Sequence, residues 1–94
     1  MNKIQQRIEI ALQNRLPFRN STGSFQGIEG KERSTGDLQD GDLELYQNSV
    51  ICYTVMSYDT PIAWVTHNNF IIIPDVSYSH TTTIHQNIVR ANLK

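Results

Sequence analysis

One cysteine, no long apolar run and no excess of either charge mark this chain of 94 residues, and each absence excludes something. With Cys52 alone there is no internal disulfide, and no zinc site can be built from the cysteines of one chain. The neighbours of Cys52 in Ser-Val-Ile-Cys-Tyr-Thr-Val-Met-Ser-Tyr are largely apolar, which reads as an inert strand thiol. Eight Lys and Arg against nine Asp and Glu leave a formal charge of −1, so the electrostatic footprint of a general nucleic-acid binder is missing. The first fifteen residues carry charged and amide side chains throughout, unlike a signal peptide, and no segment approaches the ~20 apolar residues of a membrane helix. The expectation is a soluble protein of the cytoplasm.

Chemical motifs are absent too. The nearest approach to a phosphate loop is Gly27-Ile28-Glu29-Gly30-Lys31, where spacing fails and Glu32 stands in place of Ser or Thr. There is no His-Glu-x-x-His pattern and no Gly-x-Ser-x-Gly nucleophile elbow. An enzyme is therefore not expected, and no catalytic residue, cofactor or metal is assigned.

What is present suits one small domain over residues 1–94. Hydrophobic residues make up 38% of the chain, against roughly 45–50% in ordinary domains. The core is thin, and a domain of this size gains stability from a protein partner or from self-association as a homodimer.

The predicted fold class is α+β. An N-terminal helix over about 2–14 carries the stripe Ile4, Ile8, Ala11 and Leu12, and Leu16-Pro17 ends it. Residues 19–42 hold all five glycines and read as a Gly-rich irregular segment, with a short strand at Ser24–Glu29 anchored by Phe25 and Ile28. Over about 49–74 the chain reads as a three-stranded antiparallel meander: 49–58, Pro61–Thr66 and Phe70–Pro74, with a hairpin at His67-Asn68-Asn69. Strict alternation puts Ile51, Tyr53, Val55 and Ser57 on one face, and makes Trp64 share a face with Ile62. A C-terminal helix over about 83–93 has Ile84, Ile88, Val89 and Ala91 as its apolar face. Both helices are expected on the same sheet face.

Residues 74–86, Pro-Asp-Val-Ser-Tyr-Ser-His-Thr-Thr-Thr-Ile-His-Gln, gather two histidines, a carboxylate, a tyrosine and five hydroxyls. Thr83 with Gln86 three residues on has the form of a capping box, with Thr82 as the alternative cap. His80 and His85 are five apart rather than four on one helical face, and His67 lies in a distant turn, so metal ligation is not indicated. A hydrogen-bonded network of Tyr78, Ser79, Thr82, His85 and Gln86 against Ser57 and Tyr58 is the expected arrangement. With Asp75, and with Trp64 packed beneath the 75–83 loop, these residues form the candidate binding surface: Tyr58, Trp64, Asp75, Tyr78, Ser79, Thr82, His85 and Gln86.

Two stretches, Ser-Tyr-Asp-Thr-Pro-Ile-Ala-Trp-Val (57–65) and Ile-Pro-Asp-Val-Ser-Tyr-Ser-His-Thr-Thr-Thr-Ile-His-Gln-Asn-Ile-Val-Arg (73–90), resemble an uncharacterised family of small bacteriophage-encoded proteins. The matching positions are Ser57, Tyr58, Thr60 to Trp64, Tyr78, Ser79, Thr81, Thr82, His85 and Gln86. The chain has Thr83-Ile84 where that family carries Ser-Arg, so an anion-binding role for the arginine does not carry over. The resemblance implies a phage or prophage product acting in a bacterial cytoplasm. The leading expectation is then a non-enzymatic accessory protein that binds a host protein, such as a defence component. The alternative is a module that sequesters a small ligand or nucleotide in the polar 75–86 loop.

Overall fold

The computed structural model describes residues 3–94, so the expected helix start at residue 2 lies outside them. The described elements are α1 (Lys3–Gln13), β1 (Phe18–Arg19), β2 (Phe25–Glu29), α2 (Asp40–Asn48), β3 (Ile51–Ser57), β4 (Thr60–Thr66), β5 (Ile71–Ile72) and α3 (His80–Asn92). The strands form one antiparallel sheet in the order β1-β2-β3-β4-β5. The α+β class and the meander stand. The sheet, however, has five strands rather than three, because β1 and β2 from the glycine-rich segment extend it.

Helix α1 buries Ile8, Ala11 and Leu12 as its stripe requires, while Ile4 is half exposed. It stops before Pro17. Arg15 takes a left-handed φ of 54°, Leu16 N–H donates to Ala11 O at 2.8 Å and Arg15 N–H to Leu12 O at 3.3 Å. That pair of bonds is a Schellman termination with arginine in the place glycine usually holds.

Two β-bulges decide what faces where. Between Ile51/Thr66 and Tyr53/Val65, strand β3 spends one extra residue, Cys52; between Val55/Ala63 and Met56/Pro61, β4 spends Ile62. A bulge inserts one residue against none, so strict alternation fails across it. Ile51 therefore leaves the face of Tyr53 and Val55, and Trp64 does not share a face with Ile62, correcting both expectations. Tyr53, Val55, Ile62, Ala63 and Val65 join Phe25, Ile8, Leu12, Val89 and Leu93 in one core cluster. Both terminal helices thus lie on one face. On the other face, Trp64 and Ile51 cluster with Leu38 and Tyr46.

That second face is covered by α2, which the sequence pattern did not reveal. Asp40 and Gly41 open the helix, and Tyr46 is its one fully buried residue. Tyr46 meets Trp64 edge to face, centroids 5.0 Å apart and planes at 74°. Its hydroxyl donates to Glu32 O at 2.7 Å and accepts from Glu32 N–H at 2.8 Å, which ties the preceding loop to the helix. Trp64 is fully buried, but beneath α2 rather than beneath the 75–83 loop. Among the described residues its Nε1–H finds no hydrogen-bond acceptor.

Gly27 sets the other end of the sheet. Any Cβ there would run into the Tyr53 hydroxyl and the Phe18 ring. The close approach lets Phe18 of β1 pair opposite Gly27 of β2 while Tyr53 donates to Leu16 O at 2.8 Å.

Trp64→Ala is expected to cost ~3–5 kcal/mol in chemical denaturation, because it empties the α2-facing core. Trp64→Phe is expected to cost clearly less. Its smaller cavity is partly offset by removing a buried unpaired donor, itself worth ~1–3 kcal/mol.

Candidate functional site

The two stretches singled out in the sequence meet at the turn between β3 and β4. Ser57 ends β3, and Tyr58 follows with a left-handed φ of 56°, which exposes its ring. Helix α3 runs opposite. It starts at His80, three residues earlier than expected, with Ser79 as its cap: Thr82 N–H donates to Ser79 Oγ at 3.1 Å. The capping box at Thr83 is thereby corrected. Thr83 lies inside the first turn, where its hydroxyl donates to Ser79 O at 3.0 Å, and serine accepts the N3 amide that a cap must satisfy.

Starting the helix at His80 also changes which face is buried. Thr82, His85, Gln86, Val89 and Asn92 point inward, whereas Ile84 and Ala91, expected in the apolar stripe, are exposed. The inward face is mostly polar, so its groups must find partners, and they do. Ser79 Oγ donates to Thr82 Oγ1 at 3.1 Å, Thr82 Oγ1 lies 3.0 Å from Ser57 Oγ, and Ser57 Oγ lies 2.7 Å from His85 Nδ1. Each hydroxyl has one proton to give. The chain of donation is consistent when it runs Ser79 to Thr82 to Ser57 to His85, which leaves Nδ1 as acceptor and the proton on Nε2. His85 stacks on Phe25 with centroids 4.3 Å apart and planes within 5°. The Tyr58 ring centroid lies 6.4 Å away.

Ser57 and His85 have the atom types of a nucleophile and its base, but both are buried. Burial lowers the His85 pKa from its ordinary value. In this geometry the network acts as a fastener: it holds the β3–β4 turn and the start of α3 at a fixed distance.

The same helix fixes the loop before it. Gln86 Nε2 donates to Val76 O at 2.9 Å, and Arg90 sits 3.5 Å from the fully exposed Asp75 carboxylate, a pair worth little in water. Held in this way, Val76, Ser77 and Tyr78 form one wall of an open groove of about 560 Å³, with Asp37, Gln39, Asp40, Gly41 and Asp42 opposite. Burial raises the Tyr78 pKa, and the charges of Asp42 and Asp37 raise it further.

Of the eight candidate residues, Ser79, Thr82 and His85 belong to the network and Gln86 anchors the loop. Tyr58 flanks the network, while Tyr78 lines the groove. Asp75 lies at the loop's outer side, and Trp64 belongs to the opposite face. The groove's acidic wall lies in the segment expected to be irregular and Gly-rich. Its available signal was the helical spacing of Leu43 and Tyr46 behind Asp40 and Asp42. Among the described residues, no group of three or more His, Cys, Asp or Glu is placed to hold a metal ion, and no helix is long and apolar enough to cross a membrane.

Two measurements probe this site. Ser79→Ala is expected to lower stability by ~1 kcal/mol, the worth of a helix cap. Burial makes His85 bind a proton less readily in the folded chain than in the unfolded one. Its contribution is therefore complete above the unfolded pKa of about 6.5 and declines as pH falls below it. Thermal melts from pH 7.5 to 5 should show a falling midpoint, with a shallower fall in His85→Gln.

No curated protein and no solved structure matches the chain. Residues 10–92, which include the whole network and both walls of the groove, match the model of a family of unknown function, DUF8033, and the chain belongs to that family.

Proposed function

We propose that the protein is a non-enzymatic accessory module that binds another protein through the groove between Asp37–Asp42 and Val76–Tyr78. The observation that carries this reading is the pre-fastened wall of that groove. Gln86, the Ser79 cap and the Ser57–His85 network hold the loop in one conformation. A wall ordered in advance lowers the entropy lost on binding. The motif resemblance supports a phage gene product working in a bacterial cytoplasm, which makes the partner a host protein, a defence component being the leading class.

Charge argues against the nucleotide-sequestering alternative. Three aspartates line the groove beside Tyr78, and phosphates brought there would meet like charge without a compensating arginine or lysine in the lining. The same charges favour a partner segment carrying Lys or Arg, with binding that weakens as salt rises.

Tagged protein in bacterial lysate is expected to recover one stoichiometric protein partner, with recovery reduced by Tyr78→Ala and by Asp42→Asn while both variants melt normally. A nucleotide panel should leave the melting temperature unchanged. A ligand at 100 times its dissociation constant stabilises by about 2.7 kcal/mol, so a shift of that size with any nucleotide, and no protein recovered, would overturn the reading.

A further inference from the structure

A second surface, away from the groove, lies at the β5 edge. Leu45 and Asn48 from the end of α2, with Ser49 and Val50 of the link into β3, face Thr66 to Asn68 and Phe70 to Ile72 of the β4–β5 hairpin across a cavity of about 580 Å³. None of these lining residues is charged. Val50 is 72% exposed, Phe70 66% and Leu45 44%. Protein surfaces usually break up an apolar patch of this kind with charge.

The backbone beside the patch is open too. Among the described residues, strand β5 ends the sheet and pairs with β4 alone. Thr66 N–H donates to Phe70 O at 2.9 Å, so Phe70 and Ile72 turn their backbone groups toward β4. By antiparallel alternation, Ile71 turns its N–H and C=O toward the open edge. No charged side chain interrupts Phe70-Ile71-Ile72-Ile73 before Pro74 closes it, although natural edge strands are ordinarily guarded by charge, proline or a bulge.

We infer that this edge is the contact between two copies of the chain, each adding β5 to the other's sheet in antiparallel register about Ile71. Neutrality favours this occupant. A two-fold contact sets every residue against its own patch, so any charge near the axis would meet itself, and this lining has none to repel. The strand that such an edge accepts is extended, uncharged and rich in β-branched and aromatic residues, which describes Phe70–Ile73 itself. With Ile71 opposite its counterpart, Phe70 of one copy lies beside Ile72 of the other on the face that carries α2. The two five-stranded sheets become one of ten strands.

Sedimentation equilibrium of the full chain should show the mass rising with concentration from 10.8 kDa toward twice that value. Ile71→Pro removes the outward N–H while keeping an uncharged apolar side chain, and Phe70→Glu places like charges across the axis. Both variants should keep the native far-ultraviolet circular dichroism and sediment as single chains at every concentration. In a Cys52→Ser background, Ile71→Cys should form a disulfide-linked dimer under mild oxidation. A wild-type chain that remains at 10.8 kDa throughout overturns the inference. So does a dimer untouched by both substitutions, which meets elsewhere. A dimer lost in Phe70→Glu but retained in Ile71→Pro overturns the strand pairing, since side chains alone would then hold it.

Discussion

Strand β4 is buried along six of its seven residues, from Thr60 to Val65, with side chains pressed into both sides of the sheet. An antiparallel sheet ordinarily keeps one face wet. Here the apolar run Pro-Ile-Ala-Trp-Val leaves no such option, and cover must be found on both sides. On one side α1 and α3 supply it with a well-stocked cluster. On the other, a chain with little apolar material left recruits Leu38 and, from a nine-residue helix, Leu43 and Tyr46. The clamp of Tyr46 on Glu32 follows from the same need, because α2 and the loop ahead of it must stay down for Trp64 to stay dry.

Much of this was legible from residue pattern. The β-rich run after Ser49, the Asn-containing hairpin before Phe70 and the stripe of Ile8, Ala11 and Leu12 each point to one element, and each formed. The failures have particular causes. Bulges at Cys52 and Ile62 are invisible to an alternation rule that counts by twos, so they moved Ile51 and Trp64 to the far face. Helix α2 escaped because Gly41 and two aspartates dilute a signal that rests on Leu43 and Tyr46. The start of α3 was misplaced because Ser79 and Thr83 each have a credible partner three residues on, and only the sheet opposite decides between them.

The candidate site was half legible for the same reason. Ser79, Thr82, His85 and Gln86 could be grouped from their own segment, and Ser57 from the turn that faces them. Nothing local in the 37–42 segment announces that its carboxylates will stand across from Tyr78. That neighbourhood exists because α2 crosses the second face of the sheet, a tertiary outcome. Polar residues on the inward side of α3 carry a further lesson. A helix need not bury its most apolar stripe when a serine at the end of a strand can satisfy a threonine and a histidine together.

Trp64 gives the molecule a built-in optical reporter. It is the single indole, it is fully enclosed, and its N–H bonds to nothing among the described residues, so its emission should lie far to the blue of a solvated tryptophan. Tyr46, packed against it, is placed to pass it excitation energy. Because the indole sits on the α2 face while His85 titrates on the other, loosening of α2 would redden the light without disturbing the imidazole. The two sides of one thin sheet can in this way be watched separately in the same sample.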